Sequence, residues 1–240
     1  MFHPDGPTFF ELAQQALSST DRGYDLLAPK FDLTPFRTPD EVLEVAAART
    51  AKAGAPVRKV LDVCCGTGAA MRWFRPLASE AIVGVDRSTG MLAEAERRLK
   101  GAPGSAPMSF VRGDALDLPF EREFDVVTCF GAFGHILEKD EPLFVGQIAK
   151  VLAPGGRFVF ITGEMPKPTS PSFWLARGFN AAIRIRNLLY KPEFIMYYLT
   201  FLLPRATRLL EAHGFRVEAT RGAFEAPYSH AILVTATLES

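Results

Sequence analysis

Two adjacent thiols and two glycines stand in VLDVCCGTGAA, Val60 to Ala70. Residues of these types serve either a metal or redox centre, or a loop whose backbone must come close to a ligand. A zinc or iron–sulfur centre needs about four soft or imidazole ligands, usually in spaced pairs. Cys64 and Cys65 are adjacent, Cys129 stands alone, and His3, His135, His213 and His230 show no ligand spacing. The metal reading fails on spacing. The loop reading has more support. Asp62 closes an apolar, β-branched run, Gly66 and Gly68 follow, and a helical pattern opens near Ala69. Glycines let the backbone bend sharply and approach a ligand. The carboxyl end of a strand is where open α/β sheets bind ligands. An ordinary tight strand-to-helix turn would use the same glycines.

The dinucleotide fingerprint G-x-G-x-x-G, started at Gly66, finds Gly68 and then Met71 in place of its third glycine. Asp62 also sets a carboxylate where pyrophosphate would be repelled. An NAD(P)-dependent oxidoreductase is therefore the weaker alternative. A ligand with a cationic end and no phosphate suits the loop better. S-adenosylmethionine, with its sulfonium, ammonium, ribose and adenine, is such a ligand. Three further positions agree. Asp86 ends the next apolar run, in GVDRS, where a carboxylate accepts hydrogen bonds from ribose hydroxyls. Asp114, in GDALDLPF, can accept from the adenine amino group. Phe130 closes FDVVTCF at the same cleft. Singly, each acidic residue could be a cap or loop residue; together they mark successive strand ends.

These residues need a scaffold, and the chain supplies alternating short β-branched runs and helical patterns from Val57 onward. RKVLDV, EAIVGVD, MSFVRGD, FDVVTCF and GRFVFITG read as strands. AAMRWFRPL, STGMLAEAERRLK and EPLFVGQIAKVL read as helices between them. Such alternation builds right-handed βαβ units and a parallel sheet covered on both faces. A helix, PRATRLLEAHGF, and two strands close enough to pair antiparallel, RVEATRG and HAILVTATL, follow. The 240 residues, 48 % apolar, suit one domain with a sizeable core. The expected division is a helical cap over 1–55, a core over 56–164 and 204–240, and a helical insertion over 165–203. In the cap, Thr38-Pro39-Asp40-Glu41 predicts a helix start with Thr38 as cap and Glu41 completing a capping box, and Gly54 predicts its end.

On these motifs the sequence resembles the class I S-adenosylmethionine-dependent methyltransferases. VLDVCCGTG corresponds to the family's first motif, GVDRSTGML to its second-strand acidic motif, GDALDLPF to its adenine motif, and LAPGGRFVF to the turn before the fifth strand. The resemblance implies an α/β fold: a doubly wound, Rossmann-like, seven-stranded sheet, mostly parallel with the last strand antiparallel. The sequence is most similar to the ubiquinone/menaquinone C-methyltransferase-like subgroup, whose members often begin with aromatic-Asp-x-x-Ala-x-x-aromatic-Asp. Here that element is YDLLAPKFD, Tyr24 to Asp32. The resemblance implies that it closes over the cofactor and brings Tyr24 and Phe31 to it. By the same token the first motif brings Asp62, Cys64, Gly66 and Gly68, and the second brings Asp86, Arg87 and Met91. Asp114, Ala115 and Phe130 come from the third and fourth strand ends. Cys64 takes a place that is commonly glycine in the family, a known variant in this subgroup. The cysteines are then small packing residues, with Cys64 meeting the cofactor through its backbone.

Methyl transfer from a sulfonium is an in-line displacement, for which a protein mainly supplies positioning and a dry cleft. An oxygen nucleophile or a phenol-like ring carbon often needs a proton removed too. His135, in FGAFGHILEKD, is the leading general-base candidate, because an imidazole titrates near pH ~6.5; capping a helix or packing on the adenine are its structural alternatives. Glu164 and Tyr228 are weaker candidates. The place after the fourth strand reads CFGAF, not the Asn/Asp-Pro-Pro-aromatic of the family's amino-methylating enzymes, and no paired-glutamate loop of protein-arginine enzymes occurs. A small apolar or aromatic acceptor, methylated on oxygen or carbon, is the expected substrate. A regulatory protein that binds S-adenosylmethionine without catalysis is the alternative of a different class. The insertion, rich in Phe, Trp, Tyr and Leu with Arg177, Arg184, Arg186 and Lys191 between them, reads as a lid with its own small core. Its further uses are lining an apolar pocket and contacting a membrane surface. Lys+Arg and Asp+Glu balance at 27 each, which argues against a nucleic-acid partner. No basic-then-apolar leader pattern follows Met1, and the run FIMYYLTFLL is too short to span a bilayer. The expected setting is reducing and cytoplasmic.

Overall fold

The computed structural model describes residues 3–54 and 56–239. Met1, Phe2, Ala55 and Ser240, at the edges of the cap and core segments expected above, lie outside the described residues.

Seven strands form one sheet in the order β3-β2-β1-β4-β5-β7-β6. They are β1 Lys59–Val63, β2 Ala81–Asp86, β3 Met108–Arg112, β4 Phe124–Cys129, β5 Leu152–Thr162, β6 Phe215–Thr220 and β7 Ile232–Leu238. Neighbours from β3 through β5 pair in parallel. β7 pairs antiparallel to both β5 and β6. This is the Rossmann-like sheet the sequence predicts. Its order reverses between β1 and β4, so the carboxyl ends of those strands open onto a crevice.

Alternate residues of the central strands feed two cores, as a period of two requires. Val60, Ile82, Val126 and Val159 pack with helices α3 (Asp40–Lys52) and α4 (Ala69–Phe74). Leu61, Val127, Phe158 and Phe160 pack on the other face with α6 (Glu141–Val151) and α8 (Leu203–Ala212). That second core is aromatic: Phe201 stacks on Phe133 with centroids 4.7 Å apart, and Phe158 on Phe160 at 4.7 Å.

Residues before β1 are helical. α1 (Phe9–Leu17) and α2 (Thr20–Leu27) lead into a 3-10 turn over Ala28–Leu33 and then α3. The capping box lies at α1: Glu11 N donates to Thr8 Oγ1 (3.3 Å) and Thr8 N donates to Glu11 Oε2 (2.6 Å). The one expected at Thr38 does not form. Pro39 is the residue at the cap position of α3, and its carbonyl accepts from Val42 and Leu43. Asp40, the first helical residue, instead accepts from Arg37 (2.8 Å) and Trp73 (3.0 Å). Gly54 follows the helix at φ +78, the left-handed conformation that ends helices.

Between β5 and α8 the chain forms α7 (Pro171–Leu189), then a non-helical strap over residues 190–202. Arg186 of α7 donates to the carbonyls of Ala16 (2.9 Å) and Ser18 (3.0 Å), tying this segment to the α1–α2 turn. Glu141, buried at the start of α6, accepts from Phe201 N (3.2 Å) and from Arg205, anchoring the strap's end. Leu199 and Phe201 hold left-handed backbone (φ +60 and +46), at a cost of roughly 1–2 kcal/mol each, offset for Phe201 by its aromatic packing.

Candidate active site

A cleft of about 440 Å³ opens at the carboxyl ends of β1, β2 and β4. Its floor is the β1–α4 loop. Asp62, on β1, is buried and paired in register with Thr128 on β4. Thr128 Oγ1 donates to Asp62 Oδ1 at 2.6 Å, while Asp62 Oδ2 is buried with no partner. An unpaired buried oxygen of this kind costs about 1–3 kcal/mol, more if ionised. Burial pushes the Asp62 carboxyl up from 3.8 to about 7, the Thr128 bond opposing and the Asp86 charge adding to the rise. Asp86, at the end of β2, receives the backbone N–H groups of Gly66 and Ser88, both at 2.9 Å. Burial raises its carboxyl as well, against those bonds. Two carboxyls are thus held in one cleft, one with a free oxygen: a constellation suited to a cation and its neighbouring hydroxyls.

The turn between them is left-handed at Cys64 (φ +56), Gly66 (φ +53) and Gly68 (φ +80). Cys64 and Cys65 both line the cleft, and Cys65 is also buried with α4's core. Burial pushes the Cys65 thiol up, and a Cys64 hydrogen bond and burial do the same to Cys129, so both stay protonated thiols. Among the described residues no cluster of three or more His, Cys, Asp and Glu is placed to hold a metal ion.

The YDLLAPKFD element arches over this loop and is stapled to it. Asp25 accepts from Ser88 Oγ (2.6 Å) and Gly90 N (2.9 Å) at the start of α5 (Thr89–Arg98). Asp32 accepts from Thr67 Oγ1 (2.6 Å) and pairs with Arg98 (2.9 Å) and Arg37 (3.6 Å). These two carboxylates were not singled out in the sequence, although the quoted element contains both. Arg37, which also lines the cleft, carried no sequence signal.

Of the residues expected at the site, Tyr24, Phe31, Asp62, Cys64, Gly66 and Asp86 all face the cleft, as do Arg87, Met91, Phe130 and His135. Gly68, Asp114 and Ala115 do not. Gly68 packs on α5, where a Cβ would lie 2.6 Å from Leu99. Asp114 accepts from Leu116 N (2.9 Å) and from Arg87 (3.2 Å), which also pairs with Asp21 (3.0 Å). Ala115 belongs to the aromatic core. Glu164 is exposed in an ion pair with Arg221 (2.6 Å), and Tyr228 lies outside the cleft.

His135 stands at the cleft's far wall, in the turn Phe133–His135 after β4. Its Nδ1 is 2.6 Å from the Ile195 carbonyl. A carbonyl only accepts, so Nδ1 carries the hydrogen and the Nε2 lone pair is free to accept. The Tyr24 hydroxyl, 2.8 Å away, donates to it. Burial lowers the His135 pKa below its usual value, against the Ile195 bond. Burial, then the Asp86 charge, raises Tyr24 above its usual range. The strap also seats on Gly134, whose carbonyl accepts from Tyr197 N (2.8 Å); a Cβ there would lie 2.6 Å from the Tyr197 oxygen.

A seven-stranded sheet of this order, with acidic residues at the first two strand ends, defines a Rossmann-like scaffold. Residues 60–156 match the family model described as "Methyltransferase domain". The 2-phytyl-1,4-naphtoquinone methyltransferase of Synechococcus elongatus is 35 % identical over 122 residues, half of this chain and 51 % of that protein. The demethylmenaquinone methyltransferase of Symbiobacterium thermophilum is 31 % identical over 178 residues, 73 % of this chain and 60 % of that protein. The chain thus spans between half and two thirds of the length of these relatives. Among solved structures, the DhpI–SAH complex shares the fold with a TM-score of 0.65 at 20 % identity, covering 97 % of this chain and 99 % of that one.

Proposed function

We infer that this chain is an S-adenosylmethionine-dependent methyltransferase acting on a small hydroxylated ring, quinol- or phenol-like, with apolar substituents. The observation that carries the cofactor assignment is the partnerless Asp62 Oδ2 in the cleft beside Asp86. Asp62 would hold the ammonium end, and Asp86 would accept from the ribose hydroxyls while Gly66 and Ser88 fix its orientation. Bound there, the cofactor supplies an activated methyl group to a nucleophile in line with it.

The protein's own part is proton handling and exclusion of water. A hydroxylated ring becomes a strong oxygen or carbon nucleophile when its hydroxyl loses a proton. Nε2 of His135 is already filled by the Tyr24 hydroxyl, so the proton reaches it through that hydroxyl: Tyr24 accepts from the substrate as it donates to His135. The Ile195 carbonyl, bonded to Nδ1–H, holds the tautomer and steadies the imidazolium. Ring selectivity is supported by the aromatic walls, Phe36, Phe130, Phe133, Tyr197 and Tyr198, and by the phytylnaphthoquinone and demethylmenaquinone in the names of the two relatives. Segment 1–55 serves as cap and 165–203 as lid to a single domain. Incubation with methyl-labelled S-adenosylmethionine and a panel of reduced hydroxynaphthalenes, phenols, fatty acids and amines tests this. Labelled product with the ring compounds supports it; cofactor binding with no product from any acceptor would leave a non-catalytic binding protein.

A further inference from the structure

Helix α7 buries one residue, Ile183, in nineteen. Its inner side is held by two asparagines. Asn180 bonds the backbone N–H and carbonyl of Tyr198, and Asn187 does the same with Phe194. Its outer side is apolar and bare. Trp174, Leu175, Ile185, Leu188 and Leu189 are all exposed, Leu175 by 77 % and Leu188 by 84 %. Exposed Gly178, Ala181 and Ala182 fill the gaps at helical spacing, so the residues form one stripe. Through Arg186 the stripe adjoins the α1–α2 turn, where Leu17 is exposed, and α1 adds exposed Phe9 and Phe10. An exposed apolar stripe such as that on α7 marks an interaction site.

The charge says which. From Met165 to Pro192 the sequence carries Lys167, Arg177, Arg184, Arg186 and Lys191 and no Asp or Glu. The guanidinium groups of Arg177 and Arg184 lie over the rings of Phe173 (5.4 Å) and Tyr197 (5.9 Å). On α7 itself the apolar stripe has Arg177 and Arg184 alongside it and no anion, which complements an anionic lipid surface. A second copy of the same face would set like charges against each other.

We propose that α7 docks on an anionic bilayer, its stripe at the acyl boundary and its cations among the head groups. The strap hung from Asn180 and Asn187 lines the cleft with Met196 to Thr200, so docking sets the cleft's roof against the lipid phase. An acceptor with a long apolar tail would then enter without crossing water. This route rests on the ring-methylating function proposed above; the docking itself does not.

The test is sedimentation with vesicles of phosphatidylcholine alone or in equal parts with phosphatidylglycerol, without methyl donor or acceptor. Binding is expected to the mixed vesicles, with a blue shift of Trp174 emission in a Trp73→Phe background. Arg177→Glu with Arg184→Glu should weaken it by about tenfold or more, and Leu175→Ser with Leu188→Ser should abolish it. All four sites are exposed, and unchanged melting curves will confirm the fold. Absence of wild-type binding, or equal binding to neutral vesicles unaffected by charge reversal, would overturn the proposal. So would a concentration-dependent dimer, lost in the serine variant, with no vesicle binding. Failure here leaves the transferase assignment standing, and an inert chain that binds vesicles leaves the docking standing.

Discussion

The Tyr24 hydroxyl fills the Nε2 lone pair of His135 at 2.8 Å, and the two rings meet edge to face with centroids 5.0 Å apart. On the proposed function, His135 so occupied acts through its partner. His135→Ala should lower kcat about a hundredfold or more, with cofactor affinity little changed. Tyr24→Phe keeps the ring but removes the relay, so kcat should fall while cofactor Kd holds. In the wild type kcat should rise with pH through a value below about 6.5, because burial favours the neutral imidazole. Parallel losses of kcat and cofactor affinity in both variants would assign the pair to packing instead.

Asp62 predicts a pH dependence of cofactor binding. Its carboxyl titrates at about 7 in the folded protein, and only the ionised form attracts an ammonium group. Affinity for S-adenosylmethionine should therefore rise as pH goes from 6 to 8, and Asp62→Asn should bind weakly with a flat profile. Stability runs the other way. A carboxyl raised from 3.8 to about 7 makes the folded state bind the proton more tightly. Its contribution to ligand-free stability is complete below about 4 and lost as pH rises through about 7. Titration calorimetry and thermal melts across this range, with Asp62→Asn as control, check both signs.

Asp86→Ala should weaken cofactor binding by about 1–3 kcal/mol, the usual cost of losing hydrogen bonds to a charged group. Gly66 N and Ser88 N lose their acceptor in the same variant. Calorimetry with an unchanged Kd would remove Asp86 from the ribose role.

Cys64 occupies left-handed backbone at φ +56, where a side chain costs roughly 1–2 kcal/mol and glycine nothing. Glycine also gains freedom in the unfolded chain, at a cost of about 0.5–1 kcal/mol. Cys64→Gly should therefore leave stability unchanged or raise it by up to about 1.5 kcal/mol. Cys65→Ser should retain turnover, and elemental analysis should find no stoichiometric zinc or iron. A collapse of activity in both variants, or stoichiometric metal, would give the thiols a chemical role.

The cap and lid should respond to ligand together. Ile195 N donates to Thr20 Oγ1 (2.8 Å) while the Ile195 carbonyl holds His135, so the two segments and the cleft share one set of bonds. Hydrogen exchange in residues 15–35 and 190–202 should slow when cofactor and product are added. Unaltered exchange in both would mean that neither closes over the site.

The strands were legible because most are short β-branched runs with glycine or an acidic residue at or near their ends. The antiparallel pairing of β6 and β7 followed from their closeness in sequence. Gly68, Asp114 and Ala115 mark the limit of motif reading. They lie at the expected strand and helix ends, but which way a residue faces depends on packing between α5, Arg87 and the core. Thr38 failed as a cap because Asp40, held by Arg37 and Trp73, opens the helix behind Pro39. The strap was hidden because FIMYYLTFLL carries no period. Its path is set by distant partners, Gly134, Asn180 and Glu141.

The position of β7 has a consequence for the order in which the molecule is made. The crevice half of the sheet, β3-β2-β1-β4, is complete in residues 59–129. β5 can join it next, but its other edge belongs to a strand drawn from residues 232–238. A nascent chain therefore emerges with the β1–α4 loop already framed and with the Phe158–Phe160 edge unpaired until β7 follows. Unpaired apolar edges invite pairing between chains. Deletion of β7, residues 232–238, would thus leave the site's residues present and the edges of β5 and β6 unpaired.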